Sequence, residues 1–233
     1  MGKRNMHAVL YITNNWEWSG GMSQYLEWNG KGAIPVPNIA PNTWPEFMAY
    51  TEKFHSCEPC IEALNNHVKF IMGRTNTYTN QKYTDDNTIM SWQVGNEPRL
   101  FTIENEAKFT AWLNNIVDLM KSLDKNHLIS TGSEGKNSSN DSMEIFERTH
   151  KNSNIDYLTM HIWPKNWNWY KADDAEKTLP ITIENAGKYI DEHVKVANNL
   201  KRPIIIEEFG MPRADESLSD KTSVKNRDIF YDY

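Results

Sequence analysis

Positive charge is scarce in this chain. Its 25 Lys and Arg residues face 31 Asp and Glu, a net charge of −6, and the concentrated basic surface of a nucleic-acid binder has no source here. Long apolar runs are also missing. None approaches the roughly 18 residues of a membrane span. The opening MGKRNMHAVLYITNN has a positive lead, but its apolar run is short and continues as a strand pattern, so no secretory signal peptide is legible in it. Neither G-x-G-x-x-G nor G-x-x-x-x-G-K-S/T occurs, which argues against nucleotide chemistry. Only two cysteines are present, Cys57 and Cys60. A lone C-x-x-C without a second pair or matched His spacing argues against a zinc site, and the strand that precedes a thioredoxin-type motif is lacking. The pair is structural, as free thiols or as a local disulfide. Asp85, Asp86 and Asn87 lack the spacing and Gly of a calcium loop and read as a solvated turn. No metal, cofactor, membrane or obligate protein partner is called for.

What the chain has is a large apolar inventory and many rings. With 233 residues and 39% hydrophobic composition it can build one sizeable domain. Nine Trp and ten Tyr offer flat faces for stacking on ligands such as sugars, although cores also consume them.

Strands and helices alternate along the sequence. His7 to Thr13 is a strand candidate, followed by NNWEWSGGMSQYLEW, a loop whose Trp16, Trp18 and Trp28 are either binding platforms or packing residues. Four prolines between Ala33 and Glu46 predict irregular chain. Trp44 to Arg74 turns helical, with Pro59 in a first turn and Ile61, Leu64, Val68 and Ile71 on one face. Ile89 to Val94 reads as a buried strand that stops at Gly95, Asn96, Glu97 and Pro98, since Pro cannot supply a ladder N–H. Glu104 to Asp124 is a strongly amphipathic helix. His127 to Gly135 is the next strand and its exit, and KNSSNDS then reads as an exposed loop. Ile155 to Pro164 repeats the strand-then-Pro form. Ile181 to Leu200 is a helix with Ile183, Ala186, Ile190, Val194 and Ala197 on one face, and RPIIIEEFG is a strand ending in Glu207 and Glu208.

This βα alternation predicts an α/β fold with a parallel sheet. Polar groups fall at the carboxyl ends of several different strands, which favours a (β/α)8 barrel of the TIM type over a doubly wound sheet. Five of the eight strands are recognisable, so residues 1–233 read as one partial catalytic barrel domain.

Glu97 and Glu208 end separate strands, and a closed barrel would aim both into one mouth. Glycoside hydrolysis uses such a pair, one carboxylic acid to protonate the leaving oxygen and one carboxylate to attack the anomeric carbon or activate water. Alternation along the strand turns Glu207 away from Glu208. His55, His67, His150 and His193 lie in helical or loop contexts and receive no role.

The runs LYITNNWEWSGGMSQYLEW, YTDDNTIMSWQVGNEPR, TGSEG, HIWPKNW and IIIEEFG, in this order over nearly the whole chain, resemble glycoside hydrolase family 5, and within it the endo-β-1,4-mannanases. The resemblance implies a retaining double displacement with Glu97 as general acid/base and Glu208 as nucleophile. It implies that Asn96 bonds the sugar 2-hydroxyl and that His161 lines the catalytic subsite. Trp163 stands where many relatives carry a Tyr that donates to the nucleophile; an indole donates but cannot accept. Trp16, Glu134 and Trp167 are expected as subsite walls or packing residues. The implied substrate is mannan, glucomannan or galactomannan, cut internally and, as family members act on extracellular polymers, outside the cell.

On the family's barrel the five strands correspond to the third through seventh. The first two and the eighth are not found, nor are the Arg near the nucleophile and the Trp that floors the catalytic subsite. Met1 therefore reads as an internal or truncated start, and the 233-residue piece is expected to be weakly active or inactive while its parent hydrolyses mannan. A β-1,4-glucanase or an exo-β-mannosidase on the same barrel remains an alternative, as does a non-catalytic carbohydrate-binding remnant.

Overall fold

A computed structural model describes all of residues 1–233. The chain gathers into two compact units, Met1–Thr159 and Met160–Tyr233. No helix is long and apolar enough to cross a membrane.

The first unit is built on a parallel sheet of three strands, β1 (Ala8–Asn14), β2 (Ile89–Asn96) and β3 (Leu128–Ser130), in that order. Its central strand is buried on both faces except at Met90, and its buried polar residues Ser91 and Gln93 both bond the Tyr157 hydroxyl. β1 has one neighbour, and its Val9 and Tyr11 are exposed. The register pairs Thr13 with Gly95 and Asn14 with Asn96, so the polar residues of both strands arrive at the same end.

Helices follow the sequence signals except at Gly21–Trp28, expected as loop but helical because Met22 and Leu26, one turn apart, are both buried. Between β1 and β2 lie α1 (Gly21–Trp28), α2 (Trp44–Glu52) and α3 (Glu58–Met72). The expected helical stretch from Trp44 to Arg74 is thus two helices, because a short 3-10 turn and Cys57 interrupt it. Thr43 closes a full capping box with Glu46, which sets the start of α2. Cys57 and Cys60 are joined in a disulfide at the start of α3. So short a loop restrains little unfolded chain, and the bond is worth only about 2 kcal/mol on the loop-entropy model.

After β2, α4 (Glu106–Leu123) buries Phe109, Trp112, Leu113, Ile116, Val117 and Met120, the face its periodicity predicts. At the amino end of the sheet Asp124 accepts from Trp92 Nε1 at 2.8 Å and pairs with His127 Nδ1 at 2.7 Å. Burial opposes the charge on Asp124, but the donors from His127, Trp92 and the backbone outweigh it and hold the carboxyl below its usual range.

The segment KNSSNDS is not simply exposed. Ser138 and Ser139 are buried and donate to the Gly135 carbonyl, hydroxyls small enough to be tucked under their own turn. A short α5 (Met143–Thr149) follows, capped by Ser142; its seven residues are too few for a periodic signal.

β4 (Leu158–Ile162) carries the chain into the second unit. There it pairs with β5 (Ile204–Phe209), and α6 (Ala175–Leu200) and α7 (Lys225–Asp232) complete the unit. α6 begins six residues earlier than its periodicity indicates. Pro180 lies in the second turn, where it forfeits one backbone bond without ending the helix. Its buried residues are Leu179, Thr182, Ala186, Tyr189, His193, Val196 and Ala197, and Ile183 and Ile190 pack partly buried against the core, so of the expected face only Val194 stays exposed. The Tyr189 and His193 rings meet at 4.1 Å and His193 Nδ1 bonds the Tyr189 carbonyl at 2.6 Å, which widens the buried face. The core of this unit joins Met160, Ile162, Tyr170, Leu179, Tyr189, Met211 and Phe230.

Candidate active site

In the first unit the polar end of the sheet is organised around Glu97, the residue directly after β2. Its backbone lies in the left-handed region at φ 53°, a conformation that costs an ordinary side chain on the order of 1–2 kcal/mol. Neighbouring backbone holds it there. Glu97 N–H donates to the Gly132 carbonyl at 3.0 Å and Gly95 N–H to the Thr131 carbonyl at 3.3 Å. Gly132, at φ 71°, must be glycine for this approach, since a Cβ there would sit 1.9 Å from the Gly95 carbonyl oxygen.

The Glu97 side chain is 7% exposed, and its Oε2 accepts the indole N–H of Trp16 at 2.5 Å. Trp16 is itself buried, stacked on Trp18 at 5.5 Å and edge-on to Trp44 at 5.8 Å. Asn14 ties this pair to Asn96: its Oδ1 accepts from the Trp16 backbone at 3.1 Å and from Asn96 Nδ2 at 3.2 Å. The guanidinium of Arg99 lies 5.2 Å from the centre of the Trp16 ring and bonds Glu134, whose other oxygen takes Asn137 Nδ2 at 2.8 Å. Trp16, Asn96, Glu97 and Glu134 therefore form one connected polar group.

Sequence reasoning overlooked Asn14, Arg99 and Asn137. Arg99 had a signal, being a cation two residues beyond a candidate acid in a turn-rich exit. Asn14 and Asn137 had none, because their roles depend on strand register and on the fold of the Gly135 turn.

The second unit carries Glu208, the other glutamate singled out in the sequence. Glu208, on β5, keeps its side chain 38% exposed. Its Oε2 faces Trp163 Nε1 at 3.3 Å and His161 Nδ1 at 3.5 Å, the second at the outer limit of a hydrogen bond. His161 is buried at the end of β4. Gly210 makes room for Trp163, since a Cβ there would stand 2.2 Å from the indole ring; this accounts for glycine after Glu207, Glu208 and Phe209. Trp167 lies against Trp169 at 4.9 Å and Tyr189 at 5.1 Å, beside the core of this unit.

A family model described as GH family 5 beta-mannosidase-like matches residues 1–233. The chain is 30% identical over 243 residues to the putative mannan endo-1,4-beta-mannosidase P of Arabidopsis thaliana, covering 96% of this chain and 55% of that protein. It is 30% identical to mannan endo-1,4-beta-mannosidase 7 of the same plant, over 89% of this chain and 47% of the relative. Among solved structures, a family 5 mannosidase from Rhizomucor miehei superposes with a TM-score of 0.87 at 31% identity, over 99% of this chain and 55% of its own. A mutant of that mannosidase has been solved in complex with mannosyl-fructose. An endo-beta-1,4-mannanase from Thermotoga petrophila, at 22% identity and a TM-score of 0.71, shares the fold. The chain spans about half the length of the curated relatives it matches.

Proposed function

Because this chain belongs to the β-mannosidase-like group of glycoside hydrolase family 5, whose members carry the TIM-type barrel of which it presents part, we propose that the protein is a retaining endo-1,4-β-mannosidase in which Glu97 is the general acid/base and Glu208 the nucleophile. The observation that carries the reading is a repeated arrangement. Each of the two glutamates stands at or just beyond the carboxyl end of a strand and accepts an indole N–H. The assignment of Glu97 as the acid/base is supported by its place in the family motif and by the indole N–H that fixes its Oε2. The solvent access of Glu208, with Trp163 as donor and His161 3.5 Å away, supports a carboxylate free to attack.

In the first step the Glu208 carboxylate bonds the anomeric carbon while Glu97 protonates the departing oxygen. In the second, Glu97 takes a proton from water, and that water releases the sugar from Glu208 with its configuration retained. Asn96, steadied by Asn14, bonds the sugar 2-hydroxyl as the oxocarbenium-like state forms. Trp16, Glu134 and Trp167 contribute walls and supports. The chemistry uses carboxylates and water, with no metal or cofactor step. The substrate is a mannan, glucomannan or galactomannan met outside the cell, and the whole protein needs strands beyond those present here.

An exo-β-mannosidase is the second reading, favoured by the likeness to the Rhizomucor miehei mannosidase. Product analysis on ivory-nut mannan separates the two: a ladder of oligosaccharides marks internal cutting, and mannose alone marks exo action. Glu97→Ala and Glu208→Ala are each expected to lower turnover by about 10²–10⁴-fold. Azide is expected to rescue one of them with a trapped glycosyl product. Rescue of neither, with mannan binding intact, defeats the assignment.

A further inference from the structure

Trp16 does more than wall a subsite. An indole N–H donates and cannot accept, and this one is directed at a single oxygen of Glu97, Oε2, at 2.5 Å. Were Oε2 to carry the carboxyl proton, two hydrogens would compete for the short space between Trp16 and Glu97. The ring has little freedom to turn away. Trp18 and Phe47 stack near-parallel to it at 5.5 and 6.3 Å, with interplanar angles of 20° and 23°, and Trp44 closes its edge at 5.8 Å. Arg99, fixed through Glu134, sits over it, and a cation on an aromatic face adds attraction of its own. The Trp16 backbone is pinned through Asn14.

We propose that Trp16 is a positioning residue that reserves Glu97 Oε2 for a hydrogen bond and confines the transferable proton to Oε1, with Arg99 and the flanking rings holding the indole on target. This deepens the acid/base role of Glu97 and rests on it. The proton accounting is simple. On glycosidic cleavage the O–H bond at Oε1 breaks, a new O–H forms on the leaving oxygen, and the electron pair of the broken C–O bond stays with that oxygen. Water returns a proton to Oε1 in the second step. An acid that carries its proton on one oxygen only needs no carboxyl rotation before each transfer.

Two measurements test this, one independent of turnover. In the 233-residue chain, the Trp16 indole N–H resonance is identified among the nine by its loss in Trp16→Phe. It is expected well downfield and protected from exchange, and Glu97→Ala is expected to move it upfield by about 1 ppm or more. An indole resonance that ignores Glu97→Ala overturns the proposal. In the whole enzyme, Trp16→Phe is expected to slow a phenyl β-mannoside, which needs the acid, by about 10–100-fold, the worth of a hydrogen bond to a charged group. The loss on a dinitrophenyl β-mannoside, whose leaving group needs no proton, is expected to be at least about threefold smaller in the same variant. Equal losses on both substrates mean a merely structural role and overturn the inference. If the unsubstituted enzyme hydrolyses neither these substrates nor mannan, the hydrolase reading fails, and the resonance alone then decides whether Trp16 holds Glu97.

Discussion

Each of the two units presents a glutamate to a tryptophan, and the two pairs are built differently. In Met1–Thr159 the Trp16–Glu97 bond is short, both partners are buried, and the glutamate stands on strained backbone locked by Gly132. In Met160–Tyr233 the Trp163–Glu208 contact is 3.3 Å, the carboxylate is half-exposed, and its backbone belongs to a regular strand. A hydrogen bond in a low dielectric is worth more than the same bond beside water. The contrast therefore separates a carboxyl fixed by its surroundings from one left adjustable, which suits the proton donor and the nucleophile proposed for them.

The comparison breaks most easily at Gly132. Gly132→Ala adds a Cβ that meets a backbone oxygen, at a φ that disfavours alanine, and is expected to cost about 3–5 kcal/mol, read from the urea midpoint. A loss below about 1 kcal/mol would show that Glu97 is not held by this approach.

Acid strains the first unit through His55. Burial lowers its pKa from 6.5 to about 3, and Asn105 Nδ2 contacts its Nδ1 at 2.7 Å. A group with a depressed folded pKa binds more protons when unfolded. Its contribution is thus complete above pH 6.5 and declines as pH falls towards about 3, by a few kcal/mol in all. The urea midpoint should fall across that range in the parent chain and fall less steeply in His55→Phe. Identical slopes would remove His55 from the account.

Gly210→Ala probes the second pair. The added Cβ meets the far end of a Trp163 ring, not backbone, so the ring can turn, and the cost is expected at about 1–3 kcal/mol, with altered tryptophan fluorescence. Unchanged fluorescence would mean that glycine here does not set the position of Trp163. Smallest is Trp163→Phe, expected to lower turnover by roughly fivefold, an ordinary hydrogen bond of about 1 kcal/mol. A loss as large as that of Trp16→Phe would erase the distinction between the two pairs.

Much of this was legible in the chain. Strong periodicities survived intact: α4 buries the face read from its spacing, and β2 ends where Asn96, Glu97 and Pro98 indicate. Glu97 and Glu208 stood out because strand ends are readable from composition, whereas Asn96 and His161 took their roles from the family resemblance. Weak patterns failed. α5 and α7 were too short to show a period, α1 lies where a loop was expected, and KNSSNDS hid serines that composition places outside.

The sequence by itself determined the alternation of strands and helices, the family, and which carboxylates stand at strand ends, because these follow from local periodicity and ordered motifs. Tertiary structure alone decided that Trp16 reaches across 81 residues to Glu97, that Arg99 covers its ring, and that Cys57 and Cys60 are joined rather than free. It decided as well that Glu97 is locked by Gly132 whereas Glu208 remains open to solvent. Those outcomes depend on register and on which side chains share a low-dielectric space, and no local pattern in the chain encodes either.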